Sequence, residues 1–196
     1  MTQTVTGLFD NYDDAERAVN ALESAGVSHD NISIVANNAR GNHVVPDAAS
    51  PVAHDAGTGA RVGAAVGGAG GLLAGLGLLV IPGLGPVVAA GWLGATLIGA
   101  LGGAAIGGAA GGLVGALTDA GVPVDDAHVY AEGVRRGGSL VTAKVDDSQI
   151  STARSILADH RNVDVSERRN AYRQEGWNGF DEKAPAYDAR TVSADA

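Results

Sequence analysis

The 196-residue sequence contains no cysteine, so disulfide bonds, thiolate catalysis and cysteine-ligated zinc or iron–sulfur sites are excluded. Aromatic residues make up only 4% of the chain, which is too few for a core built on large rings. Basic residues are also scarce, since 13 Lys and Arg stand against 22 Asp and Glu and the formal net charge is −9. This acidic balance argues against a general nucleic-acid-binding protein.

Charge is missing altogether from one long internal stretch. Residues 62–118 include no Asp, Glu, Lys, Arg or His, and 22 of the 30 glycines fall between Gly57 and Gly121. Two polar, acidic flanks therefore enclose one neutral, glycine-rich insert. The residues just before the insert are rich in Asn, Gly and Pro, which is typical of a linker.

The N-terminal flank has the pattern of a strand–helix–strand unit. β-Branched residues at 4–9 predict the first strand, and residues 32–36 predict the second. Between them Asp13 is the expected N-cap of a helix, with Glu16 three residues later as in a capping box. Gly26 is placed to end this helix in the left-handed conformation.

The C-terminal flank repeats this pattern weakly. Pro123 and Asp125 open a predicted helix, and residues 139–145 form the clearest strand in the chain. An amphipathic helix is expected over residues 150–157. Residues 162–165 predict a short last strand.

Two strand–helix–strand halves with helices on one face predict an α+β sandwich of the ferredoxin-like kind. Neither half has enough apolar surface to be stable alone, so we expect one ferredoxin-like split domain interrupted by a long glycine-zipper helical hairpin. The predicted division is 1–36 for the N-terminal half, 37–56 for a linker, 57–121 for the hairpin, 122–167 for the C-terminal half and 168–196 for a polar tail with an aromatic motif.

Two runs of glycines in the insert recur at every fourth residue, and this spacing predicts the helical hairpin. A period of four places them on one stripe of a helix, where two backbones can approach closely, as in packed membrane helices. The arms are expected at about 59–81 and 87–118, on either side of a turn. The helix-packing residues are Gly59, Gly63, Gly67, Gly71, Gly75, Gly99, Gly103, Gly107, Gly111 and Gly115, and the turn residues are Pro82, Gly83, Gly85 and Pro86.

The insert favours a membrane location but leaves an alternative open. As a helix the first arm would be about 34 Å long, enough to cross a hydrocarbon core of about 30 Å. Arg61, Arg135 and Arg136 favour a cytoplasmic location for both of the segments that flank such a hairpin. Trp92 is either an interfacial anchor or a packing residue. The alternative is a cytoplasmic, soluble homo-oligomer whose core is formed by the glycine-zipper helices.

No catalytic or cofactor motif accompanies the glycines. The sequence has no GxxxxGK[ST], HExxH or GxSxG, and its glycines do not open a helix after a strand as a dinucleotide site requires. His43, Asp47, His54 and Asp55 are expected to be solvated loop residues rather than metal ligands. We therefore expect no catalytic residue, no cofactor, no metal and no small-molecule substrate, and the protein is predicted not to be an enzyme.

Two groups of residues outside the insert are candidates for interaction. From Arg168 onward the chain is polar but holds four of its eight aromatic residues, so it is either a flexible tail or a segment docked by its rings. The arginine pair near the end of the helix that Pro123 opens either faces solvent or contacts anionic lipid headgroups. The possible interaction residues are Tyr130, Glu132, Arg135, Arg136, Trp177 and Phe180. Glu132, Arg135 and Arg136 also mark where a less favoured ligand-binding or enzymatic site would lie.

Several of these segments resemble the bacterial general stress protein domain family of the heat-induced type. The resemblance extends over nearly the whole chain and implies stress-linked expression, without an enzymatic activity or cofactor. In a bacterium the membrane location would be the inner membrane, and the expected partners are membrane lipid and further copies of the chain. The segments that carry the resemblance are 5–10 (VTGLFD) with 15–18 (AERA), 81–86 (IPGLGP), 130–138 (YAEGVRRGG) leading into 140–142, and the tail motifs 176–181 (GWNGFD) and 184–187 (APAY).

Overall fold

A computed structural model describes residues 2–39, 77–81, 83–102, 112–184 and 187, without the side chains of residues 98–102. These residues form a five-stranded antiparallel sheet with helices, which confirms the predicted α+β class. The strands are β1 (Thr2–Phe9), β2 (Ile32–Asn37), β3 (Gly77–Ile81), β4 (Gly85–Ala90) and β5 (Ser139–Asp146). The helices are α1 (Tyr12–Ser24), α2 (Gly91–Gly102), α3 (Gly112–Asp119), α4 (Val124–Arg135), α5 (Ile150–Asp159) and α6 (Val165–Gln174).

The sheet has the spatial order β1-β5-β2-β4-β3 and is covered by helices on both faces. Alternate residues of β5 divide between the two layers, because successive side chains of a strand point to opposite faces. Val141 and Ala143 pack with α1 and α5, whereas Leu140 packs with α2, α3 and α4. The expectation of helices on one face alone is therefore wrong, since the insert supplies part of a second helical layer.

Local chemistry determines where α1 begins and ends. Asn11 rather than the predicted Asp13 is the N-cap: its side chain accepts from the Asp14 N–H at 2.9 Å and donates to the Asp14 carboxylate at 2.7 Å. The reciprocal cap lies two residues earlier than predicted because the helix starts almost directly after β1. Gly26 ends the helix as predicted, with φ +89° and its N–H donating to the Glu23 carbonyl.

The segment around the predicted turn is a β-hairpin, so the expectation of a helical hairpin at this point is wrong. Gly83 and Gly85 have φ of +76° and +83°, and the chain does turn here. On either side, however, β3 pairs with β4, and β4 pairs along the open edge of β2. This pairing buries the β-branched Val87 and Val88 completely. The cross-strand hydrogen bonds and the burial of these side chains outweigh the helical glycine period.

The described residues in the remainder of the second arm, 91–102 and 112–118, are helical and lie in α2 and α3. These helices pack against each other, and α3 also packs against α4. Their leucines at 93, 97, 113 and 117 are at most 1% exposed and belong to the core of the domain. Of the helix-packing glycines, Gly99 lies in α2 and Gly115 in α3, while Gly59, Gly63, Gly67, Gly71, Gly75, Gly103, Gly107 and Gly111 lie outside the described residues, as does Pro82 of the turn.

The contacts of Trp92 in α2 distinguish between an interfacial anchor and a packing residue. Its ring is half-buried against the core, and the Lys144 Nζ lies 3.8 Å from the ring centroid as a cation–π contact. These contacts are those of a packing residue. In the part of the chain that the structure describes, none of the helices is both long enough and apolar enough to cross a membrane.

The predicted last strand is not formed. Within residues 162–165, the Val163 N–H donates to the Leu8 carbonyl of β1 at 2.7 Å, but this is a single contact. Asp164 instead caps α6, which begins at the next residue. The chain leaves β1 at this point because a strong helix N-cap follows immediately.

Candidate functional site: a buried arginine cluster and a docked tail

The candidate site is built on α4, which follows the N-cap Pro123 and ends before Gly137 at φ +111°. One face of this helix lies very close to the sheet at Gly133. A methyl group there would come within 2.4 Å of the Leu8 Cδ2, so only glycine allows this separation. The close approach places the neighbouring Glu132 in the interior.

Glu132 is a buried carboxylate that binds two guanidinium groups. Only 1% of its side chain is exposed, and its Oε1 accepts from Arg135 Nη1 at 3.0 Å and from Arg136 Nε at 2.6 Å. Both arginine side chains are themselves only 17% exposed. Charge-assisted hydrogen bonds of this kind are needed to hold a carboxylate away from water. The basic pair expected to face solvent or lipid therefore points inward.

Arg136 connects this carboxylate to the C-terminal helix. Its guanidinium carbon lies 4.1 Å from the ring centroid of the buried Tyr172 and 5.1 Å from that of Tyr187, and it also pairs with Glu175. Burial works against the charge of Arg136, but hydrogen bonds to Glu175 and Glu132 outweigh this effect and raise its pKa. We call Glu132, Arg135, Arg136, Tyr172 and Glu175 the arginine cluster.

Residues 175–184 after α6 return across the domain, and we call them the aromatic strap. The Trp177 ring meets Tyr172 edge-on at 5.6 Å between centroids. Further along, the Phe180 N–H donates to Nδ1 of His128 at 3.1 Å, and the Phe180 side chain, 9% exposed, joins the hydrophobic core. The tail is thus docked on its own domain by its rings, at least as far as the strap extends.

The strap also lies directly on two described parts of the insert. A methyl group on Gly83 in the β3–β4 turn would come within 2.7 Å of the Glu182 Cα and 2.8 Å of the Asp181 carbonyl oxygen. One on Gly112, where α3 begins, would come within 3.2 Å of a Glu182 carboxylate oxygen. The strap therefore fastens the turn and the start of α3 to the same side of α4.

Two ion pairs add a second attachment of α6 to the domain. Arg168 pairs with Asp10, which follows β1, at 2.7 Å, and Arg169 pairs with Asp126 of α4. Asp10 is well exposed, so its pair contributes little to stability by itself. Together the pairs fix the direction in which α6 leaves the sheet.

The chemistry that this arrangement offers is electrostatic and aromatic. The carboxylates of Glu132 and Glu175 are both occupied by guanidinium groups. Across the described ranges, no cluster of three or more His, Asp or Glu side chains could hold a metal ion. The cluster therefore acts as an anchor that closes the C-terminal segment over α4.

Residues 4–79 match the family model described as the heat induced stress protein YflT domain. This match supports a general stress protein family for the chain. The predicted kinship with general stress proteins is confirmed by this match, which includes β1, α1 and β2 and ends within β3. It spans less of the chain than the resemblance of the motifs does. No curated protein and no solved structure matches the sequence.

Most of the predicted interaction residues come together in space. Glu132, Arg135 and Arg136 form one contact group, Trp177 joins it through the ring of Tyr172, and Phe180 lies at the far end of the strap. Tyr130 is separate from them. Its side chain lies on the sheet-facing side of α4, where burial and then the nearby Asp126 raise its pKa to about 12.

The sequence predictions missed α6 and with it two contributors to the site, Tyr172 and Glu175, and they did not assign a role to His128 of α4. A signal for the helix was present, because Asp164 is followed by Glu167 at the third helical position, as in a capping box. Arg168 and Tyr172 then lie four residues apart and share one face of the helix. The polar composition of this segment concealed a helix that packs through one aromatic side chain.

Replacement of Phe180 by alanine is expected to release the strap. Removing a core phenyl group costs about 3 kcal/mol or more, and here the loss affects a terminal segment rather than the whole fold. Limited digestion with trypsin, which cuts after Lys183, should proceed at least about tenfold faster than in the wild type. Phe180→Leu is the matched control and should remain close to the wild-type rate. Equal cleavage of Phe180→Ala and the wild type would contradict docking by this ring.

Proposed function

We propose that the protein is a non-enzymatic general stress protein that acts by associating with further copies of itself. The YflT match supports the stress function. The self-association is inferred from the position of the insert, because the leucines of α2 and α3 are buried in the domain core. Side chains that a membrane hairpin would turn toward lipid face the sheet instead, which favours an assembly of domains over a lipid anchor.

The fold itself supports a structural role. The unit β1–α1–β2, with β5 between the two strands and α1 and α5 on one face, is consistent with a ferredoxin-like core that lacks its fourth strand. Such a core has no chemistry of its own, and function depends on what is built onto it. In this chain the additions are the insert and the aromatic strap. A ligand-binding or enzymatic site at Glu132, Arg135 and Arg136 has less support, because these side chains bind one another.

The experiment that tests the proposal combines fractionation with sizing of the full chain after heat stress. Recovery in the supernatant of a carbonate wash as a homo-oligomer would support it. Retention in the washed membrane pellet would favour the alternative, an inner-membrane anchor formed by the glycine-rich insert, residues 57–121. A monomer in the supernatant would contradict both the homo-oligomer and the membrane anchor. A strain lacking the protein should also survive heat less well than its parent.

Gly103→Leu tests the glycine stripe as the surface of association. If the stripe brings two helices into close contact, the new side chain forces them apart, and overpacking of this kind costs about 1–3 kcal/mol per site. We expect a lower melting temperature and a changed oligomer size. The control is Gly108→Leu, which lies off the stripe, where leucine should stabilise a helix by up to about 1 kcal/mol. If Gly103→Leu is as stable as this control and keeps the oligomer size, the stripe has no such role.

A further inference from the structure

Among the described residues, no strand pairs along the outer edge of β1. β1 is the first strand of the sheet and pairs with β5 on its inner side only. A groove of about 720 Å³ follows the outer side of residues 2–6. The loop at 120–123 borders it on one face of the sheet, and Arg154 and Leu157 of α5 border it on the other. This is the position that the predicted last strand would have filled.

The hydrogen-bonding groups along this edge can be assigned from one contact. The Leu8 carbonyl accepts from Val163 on the outer side, so the backbone groups of Leu8 point outward. Since backbone groups alternate between the two edges of a strand, those of Thr2, Thr4 and Thr6 point outward as well. Among the described residues, none forms a backbone hydrogen bond with these three threonines on that side.

The strand also lacks the features that usually prevent edge pairing. Residues 2–9 (TQTVTGLF) contain no charged residue and no proline. The register with β5 runs without interruption from Thr2↔Asp146 to Phe9↔Ser139, so no bulge twists the edge away. Natural edge strands are normally protected by charge, proline, a bulge or a covering segment. β1 is therefore suited to accept another strand between Thr2 and Thr6.

We propose that β1 pairs antiparallel with β1 of a second copy of the chain, which joins two sheets into one continuous sheet. The proposal rests on the self-association put forward above and assigns it to this strand edge. Only one register uses all the outward groups: Thr4 faces Thr4 of the partner subunit, and Thr2 faces Thr6 of the partner subunit. The Val163 N–H already binds the Leu8 carbonyl, so the next register, in which Thr2 would face Leu8 of the partner subunit, is excluded.

The side chains of this register favour a second copy of the chain as the occupant. Facing threonines are favourable cross-strand pairs, and the alternation of the strand makes it complementary to itself. The Thr6 hydroxyl is buried and has no hydrogen-bond partner among the described residues. In the proposed register it lies opposite Thr2 of the partner subunit, whose hydroxyl can provide that partner.

The test is Thr4→Pro with Thr4→Val as its control, measured by sedimentation of the full chain over about a hundredfold range of concentration. Of the backbone groups of Thr4, proline removes only the outward N–H, so the hydrogen bonds to β5 remain. Valine keeps that N–H and removes the hydroxyl that donates to the Ala120 carbonyl at 2.7 Å. We expect the wild type and Thr4→Val to reach at least twice the chain mass of 19.5 kDa. Thr4→Pro should halve the assembly mass, with a dissociation constant raised at least about tenfold.

A wild type that stays monomeric, or a Thr4→Pro variant whose mass is unchanged, would overturn the proposal. Hydrogen exchange on the wild type provides an answer even if the proline variant does not fold. The Thr4 and Thr6 amides should be protected at high concentration and lose protection on dilution. Protection independent of concentration would mean that the same chain covers the edge, which also overturns it. If Gly103→Leu alters the assembly and Thr4→Pro does not, the proposed function stands and only the strand-edge inference fails.

Discussion

Gly91→Ala is expected to be among the most destabilising single-methyl changes in the described part of the chain. Gly91 joins β4 to α2 with φ +80°, a conformation that costs about 1–2 kcal/mol for an L-residue. A methyl group there would also lie 2.1 Å from the Ile32 carbonyl oxygen and 2.9 Å from the Ser33 Cα, both backbone atoms of β2. Overpacking adds about 1–3 kcal/mol, so thermal unfolding should shift down by about 5–15 °C.

Gly26→Ala is the matched control for this prediction. Gly26 has a similar φ of +89°, but a methyl group there meets no other atom within 4 Å. It should therefore show the conformational cost alone, and the difference between the two variants measures the contact with β2. Equal melting temperatures for the two variants would show that β2 does not approach Gly91 as closely as described.

Glu132→Gln is expected to destabilise the domain by about 3 kcal/mol. The substitution keeps the size of the side chain but leaves two poorly exposed guanidinium groups without their shared negative charge. Breaking a buried ion pair on one side typically costs about 3–5 kcal/mol, and the partial exposure of the arginines favours the lower end. Chemical denaturation measures the loss. The same variant should also digest faster at the aromatic strap, because Arg136 holds Tyr172 and Glu175.

Glu175→Gln removes the other carboxylate that binds Arg136, and it serves as the control. Glu175 is 51% exposed, so the loss of its ion pair is expected to cost no more than about 1 kcal/mol. The double variant shows how strongly the two carboxylates are coupled through Arg136. A Glu132→Gln variant within experimental error of the wild type would contradict the central role of the buried carboxylate.

Local sequence patterns were sufficient to predict the helices and strands in which the local signals agree with the tertiary contacts. α1 ends at Gly26, α4 follows Pro123 and β5 covers residues 139–146, each as the pattern indicates or within a residue of it. The N-cap of α1 differed because Asn11 and Asp13 are both competent caps, and only the position where β1 ends selects between them.

The candidate site was predictable on α4 and not beyond it. Glu132, Arg135 and Arg136 lie within one turn of a helix, so their spacing predicts contact. Tyr172 and Glu175 come from α6 and the residue after it, far along the chain from α4, and no local pattern links them to the arginines. The inward direction of the arginines follows from the docking of α6, which adds a ring and a second carboxylate to Arg136.

The sequence alone was enough to identify the stress-protein kinship, the α+β class and the turn at residues 83–85, because each depends on neighbouring residues. The conformation of the chain around that turn depended on the tertiary structure. Glycine spacing describes how a helix would pack if a helix formed, whereas β2 presented an open edge whose hydrogen bonds β4 could complete. Likewise, residues 162–165 had strand character, but the Asp164 cap drew them toward α6 and left the outer edge of β1 open. Competition for strand edges and helix caps is settled only when the whole chain is folded, since each choice removes a partner from another segment.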